Sequence, residues 1–227
     1  MRLLSNEPAT PSTRLVRVAL EGVPYSYRAG QAASVGLTLD DRLTPYSIAS
    51  APHDTAQHGY LEFLVKVDGS NRFGAVVTEL SPGAPMVVSA AVGSFTLPVE
   101  AVTGPLLFVA GGTGIAPMRS MIREALYREP DQRLSLLYSA RTPDEFAYLD
   151  EFRDLAEQGR LELTLTLTGD SADWRHARGR AGAAHLESLA TSGTLCFICG
   201  PPAMVTDVPA TLKSLGVPQA QIRTEGW

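Results

Sequence analysis

Hydrophobic and polar positions along the chain fall into two rhythms. From Arg14 to Gly93, short apolar or alternating runs are broken by turn residues. These runs are Leu15 to Leu20, Tyr25 to Tyr27, Ala33 to Leu37, Tyr46 to Ala49, Tyr60 to Val67 and Met86 to Ala90. Strands this short and this closely spaced predict a small antiparallel β-barrel or sandwich. One or two helical turns fit between Phe73 and Leu80.

After Pro105 the rhythm becomes strand, helix, strand. Leu106 to Ala110 is a continuous apolar run, as in a parallel strand buried on both faces. Ile115 to Arg128 carries helical periodicity. Further strands are expected at Leu134 to Ser139, Leu161 to Leu167, Leu195 to Ile198 and Gln221 to Glu225. Helices fit between them at Asp144 to Glu157, Ala183 to Ala190 and Ala203 to Leu215. Such alternation predicts an α/β domain, a parallel sheet with helices on both faces. The change of rhythm places a boundary near Leu97 to Gly104, giving domains of residues 1–100 and 101–227.

Composition adds mainly exclusions. With 44% hydrophobic and 19% charged residues, the 227-residue chain can bury a core. A net charge of -5 supplies no basic field for nucleic acid. No run is long enough to span a bilayer, and Met1 to Ser12 has no apolar signal-peptide segment. A reducing cytosol is the simplest compartment. The two cysteines, Cys196 and Cys199, cannot supply the four thiolates an iron–sulfur cluster usually needs. On a strand, residues three apart point to opposite faces, so this C-x-x-C spacing does not predict a disulfide. His53, His58, His176 and His185 show no ligand-like spacing, and no metal is expected.

Gly111-Gly112-Thr113-Gly114-Ile115-Ala116-Pro117 follows a buried strand and opens a helix. Glycines let the backbone turn sharply and approach a ligand closely. The free N–H groups and dipole of the new helix favour a pyrophosphate. Pro117 suits the first helical turn, where a missing N–H costs nothing. The spacing differs from the GxGxxG fingerprint, so a glycine-rich turn without a ligand is the alternative. A second loop, Cys199-Gly200-Pro201-Pro202, also ends an apolar strand. Glycine there admits a flat ring, and the thiol lies beside it. Equally, Cys199 reads as a small buried hydrophobe. Thr44-Pro45-Tyr46-Ser47 sets an aromatic ring beside a hydroxyl and by itself predicts only a strand with an initial proline.

Pro45-Tyr46-Ser47, Gly93-Ser94-Phe95, Gly111 to Pro117 and Cys199-Gly200-Pro201-Pro202-Ala203-Met204, in that order, resemble the ferredoxin–NADP reductase superfamily over nearly the whole chain. The resemblance implies an N-terminal antiparallel barrel that holds FAD and a C-terminal α/β domain that holds NADPH or NADH. It implies that Tyr46 lies against the flavin and Ser47 bonds near its N5. Val65 to Val67 would run beside FAD, and the Phe73-Gly74-Ala75 turn would face its pyrophosphate. Gly112, Thr113 and Gly114 would cradle the dinucleotide pyrophosphate. Cys199 and Gly200 would flank the nicotinamide, close to Met204. Ser139 and Arg141 would meet the adenosine ribose or its 2′-phosphate. Trp227 would stack on the flavin, with Glu225 near the hydride path; a frayed terminus is the alternative.

Two positions depart from the family pattern. Thr44 stands where an arginine usually pairs with the FAD phosphates, with Arg42 two residues upstream, and Gly74 stands where a serine or threonine is usual. Losing a charge-assisted contact weakens phosphate retention, so FAD would be held more loosely, or FMN bound instead. The implied activity is electron transfer from NAD(P)H through FAD to a protein such as ferredoxin or flavodoxin, with Ser47, Cys199 and Glu225 in the contact region. Two rivals remain. One is a flavin reductase that takes flavin as substrate; the other is a flavin- or nucleotide-binding subunit without its own catalysis.

Overall fold

A computed structural model describes residues 1–38, 42–67, 69 and 72–226. The described chain divides into two compact units: Met1–Leu97 with Arg119–Tyr127, and Pro98–Met118 with the residues from Arg128 onward.

The first unit holds β1 (Arg2–Thr10), β2 (Thr13–Ala19), β3 (Ala32–Gly36), β4 (Thr44–Ser47), α1 (Pro52–His58), β5 (Tyr60–Lys66), α2 (Arg72–Val77) and β6 (Val87–Val88). Two three-stranded antiparallel sheets, β1-β2-β5 and β4-β3-β6, are joined by a bridge between Ile48 and Phe63. Both sheets line one core in which Val16, Val18, Ala33, Ile48, Leu61, Phe63 and Val65 are fully buried. The alternating runs Leu15 to Leu20, Ala33 to Leu37 and Tyr60 to Val67 thus form strands, as expected.

Three elements differ from expectation. Tyr25 to Tyr27 is not a strand; each tyrosine hydroxyl instead donates to a backbone carbonyl, Tyr25 to Ser89 and Tyr27 to Ser50. The polar N-terminus forms β1, an edge strand whose register slips at Leu3/Ser5 and Pro8/Thr10. Those slips break period-two alternation, and an edge tolerates Pro8. The stretch Pro52–His58 forms α1, with proline in its first turn and Gly59 at φ 73° closing it.

A buried polar network fixes α1 to residues of the helix α3 (Ile115–Arg128), whose Arg119–Tyr127 portion belongs to this unit. Glu62, 2% exposed, accepts from Arg17 at 2.7 Å and Arg119 at 3.0 Å. Arg119 also donates to the Ala49 carbonyl at 3.0 Å, and Ser120 to that of Ser50 at 2.7 Å. Arg123 grips Asp54 through two bonds of 2.5 and 2.8 Å, the bidentate geometry that makes such pairs strong. Asp54 also accepts from the Ala51 N–H, at 3.2 Å.

Burial pushes the Asp54 carboxyl up, but the Arg123 bonds and charge outweigh it and hold the group below its ordinary 3.8. A depressed folded value stabilises the native state above the unfolded value and stops doing so as pH falls through the folded one. Asp54→Asn is therefore expected to cost about 1–3 kcal/mol at pH 7, since a charge loses its partner at a half-buried site. Urea unfolding of both proteins should show that gap closing as pH drops below the ordinary carboxylate range. A gap that is constant with pH would refute the assignment.

The second unit holds β7 (Leu106–Gly111), the first turn of α3, β8 (Leu134–Ala140), α4 (Leu149–Glu157), β9 (Glu162–Leu167), β10 (Ala177–Arg178), α5 (Ala183–Leu186), β11 (Leu195–Gly200), α6 (Pro202–Ser214) and β12 (Ile222–Gly226). Its six strands run β10-β9-β8-β7-β11-β12, and every pairing is parallel. One face packs Leu107, Val109, Leu137, Cys196 and Ile198 with Leu186 of α5 and Val208 and Leu212 of α6. On the other, Phe108 stacks on Phe197 at 5.5 Å, and Phe152 of α4 meets Tyr138 edge-on. β7, β8 and β11 are buried at every position, which is why β7 and β11 read as runs without a charged residue, while β8 also buries Ser135, Tyr138 and Ser139. Helices on both faces fulfil the α/β expectation.

Candidate functional site

The chain leaves β7 toward β8 and β9 on one side, then returns to β11 and β12 on the other. β7 and β11 thus flank a switch point, and in open α/β sheets ligands bind beyond the carboxyl ends of such strands. Both glycine loops leave from these two ends. Gly112–Gly114 forms a single 3-10 turn and passes into α3.

The glycines have different reasons. A Cβ on Gly114 would meet the Cys199 carbonyl oxygen at 2.2 Å and its carbon at 2.6 Å. One on Gly200 would meet Met204 Sδ at 2.8 Å and Gly111 N at 3.2 Å, and one on Gly111 would meet Pro201 Cδ at 2.8 Å. These three let the two loops touch backbone to backbone. Gly112 differs: it is exposed, its φ is 53°, and nothing lies within 4 Å of its missing side chain. Its freedom serves conformation and open space.

Cys199 pairs with Ala110 on one side and Glu225 on the other, so these three strand ends lie side by side. Cys199 is fully buried and free, as is Cys196. Burial first, and then the Glu225 carboxylate, push the Cys199 thiol up; burial raises that of Cys196 to about 12. Both remain protonated near neutrality and neither is an activated nucleophile. Their strand positions, three apart, carry no disulfide.

Thr113 is half-buried, Pro117 is buried inside the first turn of α3, and Met204 is half-buried against Gly200 and Gly111. Ser139, 6% exposed, pairs with Gly111 across β8 and β7. Arg141 is exposed just past β8, and its carbonyl accepts the Gly169 N–H at 3.1 Å. Of the downstream arginines, Arg178 donates to the carbonyls of Ser171 and Trp174 and so braces its own loop.

In the first unit Thr44, Tyr46 and Ser47 occupy β4, and Val65 lies fully buried in β5 with Val67 just beyond it. The Tyr46 ring is tilted against Phe73 at 5.8 Å. Phe73 and Gly74 are buried, and Ala75 is exposed, within α2. Trp227 lies outside the described residues. Among the described residues no group of three or more histidine, cysteine or acidic side chains gathers to hold a metal, and no helix is long and apolar enough to cross a membrane.

Sequence reasoning missed Tyr138, whose fully buried hydroxyl donates to the Gly112 carbonyl and accepts from the Ala147 N–H. Its one signal was a phenol inside a mostly apolar strand, since buried tyrosines usually find a hydrogen-bond partner.

A parallel sheet with two glycine loops at its switch point is an arrangement at which open α/β domains bind nucleotides, and comparison with known proteins gives the class. Residues 108–209 match the Oxidoreductase NAD-binding domain family. Ferredoxin–NADP reductase B of Sorangium cellulosum is 32% identical, with the alignment covering 100% of this chain and 96% of that one. A terephthalate 1,2-dioxygenase reductase component of a Comamonas species is 30% identical over 95% of this chain, which spans only 64% of its length. Among solved structures, the Amycolatopsis cytochrome P450 reductase GcoB superposes with a TM-score of 0.88 at 26% identity, over 99% of this chain and 68% of that one. A ferredoxin NADP+ reductase from Neisseria gonorrhoeae, with bound FAD and NADP, shares the fold at a TM-score of 0.82 and 22% identity, over 99% and 96% of the two chains. The chain belongs to the ferredoxin–NADP reductase superfamily and is an oxidoreductase.

Proposed function

We propose that the chain is an NAD(P)H-dependent flavoprotein reductase that delivers electrons to a separate protein of the ferredoxin or flavodoxin type. The observation that carries this reading is the gathering of Gly111 to Gly114, Cys199, Gly200 and Glu225 at the carboxyl ends of β7, β11 and β12. Gly112, Thr113 and Gly114 bind the dinucleotide pyrophosphate through backbone N–H groups at the start of α3. Gly200 leaves room for the nicotinamide ring, and Cys199 forms a neutral wall beside it, with Glu225 adjacent. Ser139 and Arg141 lie toward the adenosine end. One relative carries the name ferredoxin–NADP reductase and others are named reductase components of dioxygenases, which supports a ferredoxin-type acceptor.

When bound, FAD would supply the hydride acceptor for the nicotinamide and the source of single electrons for the partner protein. The first unit fits its ring better than its phosphates. Tyr46, half-buried and held against Phe73, offers an aromatic face, and the buried Ser47 follows it at the end of β4. On the phosphate side a half-buried Thr44 and a buried Gly74 replace stronger partners, and the exposed cations nearest in sequence to these positions are Arg42 and Arg72. That asymmetry favours a second reading, in which free flavin is a substrate.

The deciding experiment is the visible spectrum of the purified, desalted protein, followed anaerobically as NADPH and then NADH is added. A yellow protein bleached by either is expected. A colourless protein that reduces only added flavin would establish the second reading, and no reduction under either condition would overturn both.

A further inference from the structure

Gly112 is the exposed, left-handed member of the loop, and its carbonyl is held from below. The Tyr138 hydroxyl donates to it at 3.3 Å and accepts the Ala147 N–H at 3.1 Å. The Ile115 N–H reaches the same carbonyl from within the turn. Tyr138 is fully buried and packed edge-on against Phe146 at 4.9 Å and Phe152 at 6.5 Å, so the hydroxyl has little freedom to choose other partners.

A trans peptide is planar, and its C=O and the next N–H point in opposite directions. Pulling the Gly112 oxygen inward therefore aims the Thr113 N–H outward, on the side where Gly112 is open. We infer that Tyr138 is a positioning residue for the dinucleotide, its hydroxyl fixing the Gly112–Thr113 peptide so that the Thr113 N–H is preorganised to meet a pyrophosphate. This rests on the dinucleotide reading of the loop. Burial also pushes the phenol well above its usual range, so it remains a donor at any pH the protein meets. Preorganised donors bind anions better because no orienting cost is left for the moment of binding. No part of this requires Tyr138 to touch the ligand.

Tyr138→Phe removes the hydroxyl and keeps the ring packing. Calorimetric titrations would use ADP-ribose, its 2′-phosphorylated form, and adenosine, which lacks phosphate. The variant is expected to bind the better of the two ADP-ribose ligands about three- to tenfold more weakly, the scale of one net hydrogen bond, while adenosine affinity is unchanged. Equal ADP-ribose affinity in both proteins would overturn the inference, and so would equal weakening of ADP-ribose and adenosine, which marks a general loss of structure. A wild-type protein that binds neither ADP-ribose form would overturn the dinucleotide reading together with it.

Discussion

Gly114→Ala is expected to weaken ADP-ribose binding by about 100-fold, equivalent to roughly 2.7 kcal/mol. The added methyl would lie 2.2 Å from the Cys199 carbonyl oxygen and 3.1 Å from Gly200 N. Both atoms belong to the buried end of a central strand, so they cannot rotate aside as a side chain would. The loop must lift instead, and the N–H groups leave their places together. Overpacking of this kind also costs about 1–3 kcal/mol in stability, more where the neighbour is rigid. Gly112→Ala makes the contrast, because open space surrounds it and only its φ of 53° resists; about 1–2 kcal/mol is expected there. Calorimetry and thermal unfolding on both variants test the pair. Gly114→Ala with affinity within threefold of wild type would show that the contact between the loops does not shape the site.

Glu62→Gln should be the most damaging single change in the first unit. It neutralises a carboxylate that is 2% exposed and leaves Arg17 and Arg119 facing each other without their shared partner. Removing one member of a buried ion pair typically costs about 3–5 kcal/mol. For a protein of this size that lowers the unfolding midpoint by roughly 10 °C. Glu62→Met combined with Arg119→Met should recover much of the loss, because an apolar replacement strands fewer charges. Thermal unfolding of the three proteins decides the matter. A midpoint within 2 or 3 °C of wild type for Glu62→Gln would mean that water already screens the cluster.

The difference between what was and was not legible follows burial. Where a strand is covered on both faces, as in β7 and β11, apolar residues and glycine follow one another without a charged residue and the pattern declares itself. The α3 limits, Ile115–Arg128, agree with the periodicity because glycine precedes the helix and charge follows it. β1 was hidden because it pairs along its length with β2 alone, its register slips twice, and Ser5, Asn6 and Pro8 interrupt any alternation. The Gly111 to Gly114 loop was legible as a sharp turn because its glycines fall between an apolar run and a helical one. Glu62 and Tyr138 were not. Each matters through partners 57 and 26 residues away, and no local pattern announces a contact of that kind. Arg123 likewise takes its role from Asp54, 69 residues away in the chain.

The contribution of Arg119–Tyr127 to the first unit has a practical corollary for anyone who would shuffle or excise its parts. A gene fragment ending at Leu97 would encode both small sheets and yet leave Asp54 without Arg123 and the Ser50 carbonyl without Ser120. Glu62 would keep Arg17 alone. The two units are therefore not separable modules in the sense of a single crossover point. Their inheritance is interleaved, and recombination that keeps the first whole must carry a helix from inside the coding span of the second.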